Sequence, residues 1–413
     1  MIDAASQPGP STPPTAGPAP AAPLRVALAH DWLVALRGGE LVLDAIARLL
    51  TRDHHTISRI YTMFDAAAPI TPAIDSIART TSPLNRTPPA LRRWLLMRYP
   101  AAMAHLGREL ARDHAREPVD LLISTHSAAI KALKPPMGPD SRPVPHLCYC
   151  HSPARYLWSQ TDAYAAGGPK GRLRSLGLRA WGPSLRRWDR ATADHVTRFI
   201  ANSTHTADQI RRHYDRDSTV VHPPVRTDFY TPDGTTRDGT LLLVSALEPY
   251  KCVELAIEAA CIARRPLTIV GSGSHERGLR AHARLAQSRH GLSGHITFTG
   301  RIDDNRLLAH YRAAGAFLFP QIEDFGITAV EAQAAGCPVV ARRAGGALDT
   351  VVDAETGAFF DEPDPEACAE AIGRCPTAPG TEKACRSNAL RFAEDVFSES
   401  MRRVIAQTVE TGG

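Results

Sequence analysis

Short apolar runs alternate with amphipathic stretches along nearly all of this 413-residue chain, and that alternation limits the folds open to it. LRVALAH (24–30) is a run of the kind buried on both faces of a parallel sheet, and apolar spacing of helical period follows from Glu40 to Leu50. VDLLIST, VPHLCYCH, VTRFIANS and STVVHPPV repeat the strand signal in the first half. TLLLVSAL, PLTIVGSG, HITFTG, GAFLFP and CPVVAR repeat it in the second, with segments such as CVELAIEAACIARR and NRLLAHYRAAG between them. Strands separated by helices pair in parallel through right-handed crossovers. HPPVRTDFYTPDG (222–234) interrupts the alternation with Pro, Asp and Gly, so the chain reads as α/β with two doubly wound domains facing across a cleft. The expected boundaries are 24–225 and 226–384, followed by a segment 385–413. In open sheets of this kind ligands bind beyond the carboxyl ends of the strands.

Composition agrees with a globular enzyme: 43% of residues are hydrophobic and 22% charged. No stretch approaches the roughly 20 unbroken apolar residues of a membrane-spanning helix. The first 23 residues, rich in Pro, Ala, Ser and Gly, lack the n- and h-regions of a secretion signal and read as a disordered tail. The eight cysteines are scattered, and Cys148 and Cys150 alternate inside a strand, which is the pattern of core packing rather than of a metal or redox pair. A reducing, cytoplasmic location is the expectation.

The segment EDFGITAVE (323–331) follows the strand GAFLFP and opens a helix near Phe325 and Gly326. Helix starts leave N–H groups unpaired and attract phosphate, and Gly326 permits close approach to the backbone. Glu323 then lies before the helix and Glu331 inside it. A ligand over that helix start could offer a sugar to Glu323, a diphosphate to Gly326, Ile327 and Thr328, and a ribose to Glu331, whose carboxylate can accept two hydrogen bonds from a diol. A capped helix with solvent-facing acids is the plain alternative.

EDFGITAVEAQAAGCPVVARRAGGALDTVVDAETGAFF resembles the E-x7-E region of retaining GT-B glycosyltransferases of family 4. HDWLVALRGGELVLDAI, CYCHSPARYLW, FIANSTHTADQI, HPPVRTDFY and VSALEPYKCVELAIEA are similar to the bacterial branch that builds surface polysaccharides and O-antigens, in which mannosyltransferases are prominent. The resemblance, over about residues 24–375, implies two Rossmann-like domains, the first for the acceptor and the second for a nucleotide sugar, with a C-terminal helix returning to the first. It implies donor contacts from Gly38, Gly39, Lys251, Arg301, Glu323, Phe325, Gly326, Ile327, Thr328 and Glu331. His151, Lys251 and Glu323 are the catalytic candidates, and Arg155 and Trp158 the acceptor-side ones. Tyr156 and Trp158 can equally pack the core or stack on a sugar. No metal or cofactor is implied, because protein cations and helix N-termini stabilise the departing diphosphate. Wider members carry an Arg in the loop before Lys251, where Ala246 stands here. Either Lys251 and the helix N-terminus then carry the diphosphate, or Arg301 supplies the second positive charge. Only five of the 48 basic residues are lysines, which singles out Lys251. The implied donor is GDP-mannose, with UDP-hexoses open, and the implied acceptor is a polyprenyl-diphosphate-linked saccharide.

Other motifs carry less. Gly271-x-Gly273 follows a strand, yet its spacing is not that of a dinucleotide fingerprint and no acid ends the next strand. Asp215-Arg-Asp217 lies in a polar loop far from the donor segment, and Asp303-Asp304 suits a helix start. LRRWLLMRYP (91–100) and GPKGRLRSLGLRAWGPSLRRWDR (168–190) interleave Arg with Trp and Leu, as segments that lie on anionic membranes do. Peripheral attachment to the inner face of the cytoplasmic membrane is the expectation, with ordinary Arg-rich surface helices as the plain alternative. A net charge of +5 without a recognised motif argues against nucleic acid. Epimerase, phosphorylase and non-catalytic nucleotide-sugar scaffold are the rival readings.

Overall fold

The structure is a computed structural model and describes residues 22–92, 95–159 and 168–412; residues 1–21 of the N-terminal tail lie outside them. The first domain holds a seven-stranded sheet of β1 (Arg25–Leu33), β2 (Thr56–Asp65), β3 (Arg79–Thr81), β4 (Leu121–His126), β5 (His146–Cys150), β6 (Arg198–Ala201) and β7 (Ser218–Val220). The second holds six strands: β8 (Leu241–Val244), β9 (Leu267–Val270), β10 (Ile296–Gly300), β11 (Ala316–Phe319), β12 (Val339–Arg342) and β13 (Gly357–Phe360). Their orders are β3-β2-β1-β4-β5-β6-β7 and β10-β9-β8-β11-β12-β13. All pairings are parallel. The two halves thus share one winding, and each has its topological switch point between its first and fourth strands, where such sheets bind ligands.

Burial on both faces explains the continuous apolar runs. In β1, Val26 and Leu28 face one core with Ile123 and Leu147, while Ala27 and Ala29 face another with Leu106 and Leu122. The helix Glu394–Gly412 covers the first of these faces through Phe397, Met401, Val404 and Ile405. It is pinned by Arg402 to Asp53 at 2.6 Å and by Arg52 to Ser398 at 3.0 Å. β2, β3 and β13 differ from the strands read in the sequence. TISRIYTMFD is buried only over its later half, so polar residues interrupt its pattern. RTT and GAFF are too short to declare themselves.

Both ends of the first switch point are tied to each other. Asp31, near the end of β1 and 1% exposed, accepts backbone N–H bonds of 2.7–2.8 Å from Ser127, Ala128, Ala129 and Ile130 beyond β4. His30 Nδ1 lies 2.5 Å from Thr125 Oγ1. A buried carboxylate satisfied by four amides is stable only as a set, because deleting it leaves four donors in a dry environment. Asp31→Ala should therefore lower unfolding stability by about 3 kcal/mol. Denaturant melts should show a reduced midpoint at unchanged slope.

Candidate active site

The carboxyl ends of β8 and β11 meet at the switch point of the second sheet, and the segment EDFGITAVE sits there. β11 ends at Phe319, and the loop Pro320–Phe325 leads into the helix Ile327–Ala334. Gly326 is the N-cap at φ 95°, and a Cβ there would lie 2.6 Å from Phe319 Cζ. Only glycine fits both that backbone conformation and that space. From the end of β8, Lys251 reaches across and pairs with Glu323; both are mostly buried, 14% and 18% exposed. A cation and a carboxylate are thus held at the helix start.

Glu331, 9% exposed, faces the opposite end of the helix start. Tyr311 Oη donates to its Oε2 at 3.2 Å. Burial pushes its carboxyl up to about 7, against the pull of the Arg226 guanidinium and the Tyr311 hydroxyl. Arg226 is itself held by Asp304 at 2.8 Å and Tyr230 Oη at 3.0 Å. Asp303 caps its helix through a 2.9 Å bond from Arg306 N. Phe325 packs inward against His222 and Phe392, so only its backbone faces the loop.

The first domain presents its own switch point to this surface. Gly38 and Gly39 lie within the first turn of the helix Gly38–Arg52. A Cβ on Gly38 would come within 3.3 Å of Ile327 Cδ1 of the other domain; on Gly39 it would meet His30 Cε1 at 3.4 Å and His151 Nε2 at 3.6 Å. Gly39 therefore leaves room beside His30 and His151, and Gly38 lets Ile327 of the other domain approach. His151 Nε2 is buried without a hydrogen-bond partner. Burial, then the charges of His30 and Arg155, push its pKa down to about 3, so the ring is neutral near pH 7. A neutral imidazole can donate or accept one hydrogen bond there without acting as a strong acid. Its carbonyl is fixed by Asn202 Nδ2 at 3.0 Å.

Two further contacts cross between the domains, and neither had a sequence signal. Arg155 pairs with Asp324, 169 residues away, inside the loop before Gly326. Asp349 accepts from Thr204 N at 2.7 Å, at the start of the helix Thr204–Tyr214 of the first domain, which Ser203 caps. Lys251, Glu323, Arg155, Gly38, Gly39, Ile327 and His151 are thereby linked in one cleft. Trp158 is placed otherwise: its Nε1 donates to Asp189 at 2.7 Å and His213 stacks on it at 4.6 Å. Its indole N–H and one ring face are engaged inside the first domain. Arg301 is exposed beyond β10, the edge strand, three strand positions from β11, or about 14 Å at the usual spacing. Gly271 and Gly273 let the exit of β9 lie against the carbonyls of Ser245 and Leu247, a packing role.

Several arginines of the basic segments also act internally. Arg92 lies over the Phe64 ring at 4.9 Å and Arg186 donates to Leu157 O at 3.1 Å, while Trp181 is exposed. Arg93, Trp94 and the backbone of residues 160–167 lie outside the described residues. Among the described residues no helix is long and apolar enough to cross a membrane, and no group of three or more His, Cys, Asp or Glu could hold a metal ion.

Comparison with known proteins agrees with this geometry. Residues 233–392 match the model of glycosyl transferases group 1, and residues 36–229 that of glycosyltransferase family 4. The chain belongs to this glycosyltransferase family. Among curated relatives, D-inositol 3-phosphate glycosyltransferase 2 of Catenulispora acidiphila is 33% identical over 211 residues, 45% of this chain and 49% of that protein. A D-inositol 3-phosphate glycosyltransferase of Streptomyces bingchenggensis is 30% identical over 50% of this chain and 53% of its own length. The chain thus spans about half the length of these relatives. Sucrose-phosphate synthase from Thermosynechococcus elongatus superimposes with a TM-score of 0.68 at 18% identity, over 94% of this chain and 100% of that one. Anabaena HepE in complex with UDP does so at 0.63 and 17%, over 92% and 100%. Both share the two-domain GT-B fold.

The raised pKa of Glu331 has a direct consequence for this member of the family. A carboxyl whose pKa rises on folding stabilises the fold below its unfolded value near 4.5 and loses that contribution as pH climbs through 7. The loss is about 3 kcal/mol for a shift of this size. Glu331→Gln cannot ionise, so its stability relative to wild type should increase by about that amount between pH 4 and pH 8. Urea melts at the two pH values measure it.

Proposed function

We propose that the protein is a retaining glycosyltransferase that moves a hexose from a nucleoside diphosphate donor to an acceptor hydroxyl held by the first domain. The observation that carries this reading is the pairing of Lys251 with Glu323 across the second switch point, at the start of the helix that also bears Glu331. In this reading Glu331 accepts the ribose diol and the N–H groups from Gly326 to Thr328 meet the diphosphate. Lys251 leaves Glu323 for the phosphates, which frees Glu323 to orient sugar hydroxyls. The bond from the anomeric carbon to the phosphate oxygen breaks on the face from which the hydroxyl enters. The leaving oxygen takes the acceptor proton as the new glycosidic bond forms, so configuration is retained. His151, neutral and unpartnered at Nε2, hydrogen-bonds the reacting ring or the acceptor. Arg155, beside the donor loop, serves the acceptor side.

GDP-mannose is the first donor candidate, from the resemblance to the polysaccharide-building branch. UDP-glucose is the second, favoured by the complexes of HepE with UDP and UDP-glucose. A polyprenyl-diphosphate-linked saccharide at an anionic membrane surface is the proposed acceptor. The names of the curated relatives add D-inositol 3-phosphate as an acceptor to test.

Calorimetry with GDP-mannose, UDP-glucose, UDP-galactose and UDP-N-acetylglucosamine, without added metal, should show saturable binding of one donor. Glu331→Ala should weaken it by about tenfold or more, the scale of hydrogen bonds to a charged group. Only the ionised carboxylate accepts both diol hydrogens. Donor affinity should therefore rise with pH to about 7 and level off above it, and the slope should vanish in Glu331→Gln. Absence of binding by every donor, in a folded sample supplied with acceptor lipid, would overturn the reading.

A further inference from the structure

A diphosphate that departs from a sugar gains negative charge as the bond breaks, and Lys251 is a single ammonium. The loop that carries it, from Val244 to Lys251, holds no other basic residue, and Ala246 within it is exposed. The second positive charge, if the site has one, must come from another element.

The neighbouring cations are largely engaged elsewhere. Arg155 is held by Asp324, and Arg343 by Asp353 at 2.8 Å and Asp361 at 2.9 Å. Arg226 is held by Asp304, and Arg301 lies out at the edge strand. Arg342 differs from all of them. It makes no hydrogen bond or ion pair among the described residues, and its Nε is buried without a partner. Arginine is rarely left so, because each unpaired buried N–H carries a desolvation cost.

Its position brings it to the donor loop. Arg342 ends β12, which pairs directly with β11 through Phe319 and Ala341, so it sits one residue beyond that pair, alongside the start of the loop to Glu323. The segment that follows it is pressed onto the same loop. Gly346 N donates to Glu323 O at 2.8 Å, and a Cβ on Gly346 would lie 2.3 Å from Phe325 Cα. In β12, Val340 faces the core that contains Val253 and Leu255, and Arg342 alternates onto that same face. Lys251 and Cys252 stand at the start of the helix Val253–Ile262 there. Burial pushes the Cys252 thiol up, and the largest opposing influence is the Arg342 charge, ahead of Lys251.

We propose that Arg342 is the second phosphate-binding cation of the donor site, acting with Lys251 on the diphosphate from the side of β12. The assignment builds on the nucleotide-sugar reading above. Its planar fork can take two phosphate oxygens at once, which relieves the unpartnered Nε region and offsets the charge that grows on departure. It also gives Ala246 a meaning: a cation supplied from β12 leaves the exposed position in the β8 loop free of that duty.

The test is titration of GDP, UDP, GMP and UMP into wild type, Arg342→Gln and the double variant Ala246→Arg/Arg342→Gln. Glutamine keeps the aliphatic stem, and thermal melts should confirm that all three are folded. Wild type should bind one nucleoside diphosphate, and Arg342→Gln should bind it about 10- to 100-fold more weakly, as expected for loss of a charge-assisted contact. The matching monophosphate should be affected far less, a difference that a merely structural residue would not produce. The Ala246→Arg change should restore diphosphate binding. If wild type binds the diphosphate and Arg342→Gln binds it equally well, or loses mono- and diphosphate alike, the assignment falls while the donor reading stands. If wild type, supplied with acceptor lipid, binds none of the four, the donor reading falls and the assignment with it.

Discussion

Three carboxylates within nine residues, at the buried end of one parallel strand, are a constraint that much of the cleft answers. Asp324 and Glu331 are each 9% exposed and the Glu323 side chain 18%, so solvent only partly screens them and each needs a partner within the protein. Each is met by a group from a different part of the chain: Lys251 from the end of β8, Arg155 from the other domain, and Tyr311 from the helix before β11. The helix N-terminus at Gly326 adds its own partial positive charge. Glu323 and Asp324 are therefore held by counter-charges and Glu331 by a hydroxyl, contacts that a phosphate or a diol could take over.

Removing one partner of such a pair leaves the other uncompensated, so exchange with a ligand is favoured only if the ligand supplies equivalent charge or hydrogen bonds. A diphosphate near Lys251 replaces the carboxylate of Glu323 with another anion, and sugar hydroxyls near Glu323 replace the ammonium with donors. Arg155 couples the same exchange to the domain interface, because its partner Asp324 adjoins Glu323 in sequence. Contacts that hold the cleft together in this structure are thus built from the charges that a donor would engage.

Much of this was legible in the sequence for a physical reason. Strands buried on both faces need continuous apolar runs, so β1, β4, β5, β8, β9, β11 and β12 stood out, and the two-domain α/β architecture followed from their alternation with helices. Local chemistry was equally plain where it depends on neighbours in the chain, as at Gly326, Asp303 and the Glu323–Glu331 spacing. What was hidden depends on distant partners. Arg155 and Asp324 are 169 residues apart, and nothing in either segment names the other. Trp158 shows the same effect, since nothing in its segment names Asp189, the partner of its indole N–H.

Arg342 marks the boundary between these two kinds of information. In sequence it is one of two adjacent arginines after an apolar strand, with nothing to separate it from Arg343. Strand alternation separates them: at the end of β12 one side chain follows Val340 onto the face where Lys251 stands, and the next turns to the surface acids Asp353 and Asp361. A single-residue shift in the register of β12 would exchange the two, placing the paired arginine beneath the donor loop and the unpaired one in solvent. The register is fixed by Val339 and Val340 against Phe317 and Leu318, residues buried in the cores on the two faces of the sheet. The electrostatics of the cleft are in that sense set by core packing one strand away from it.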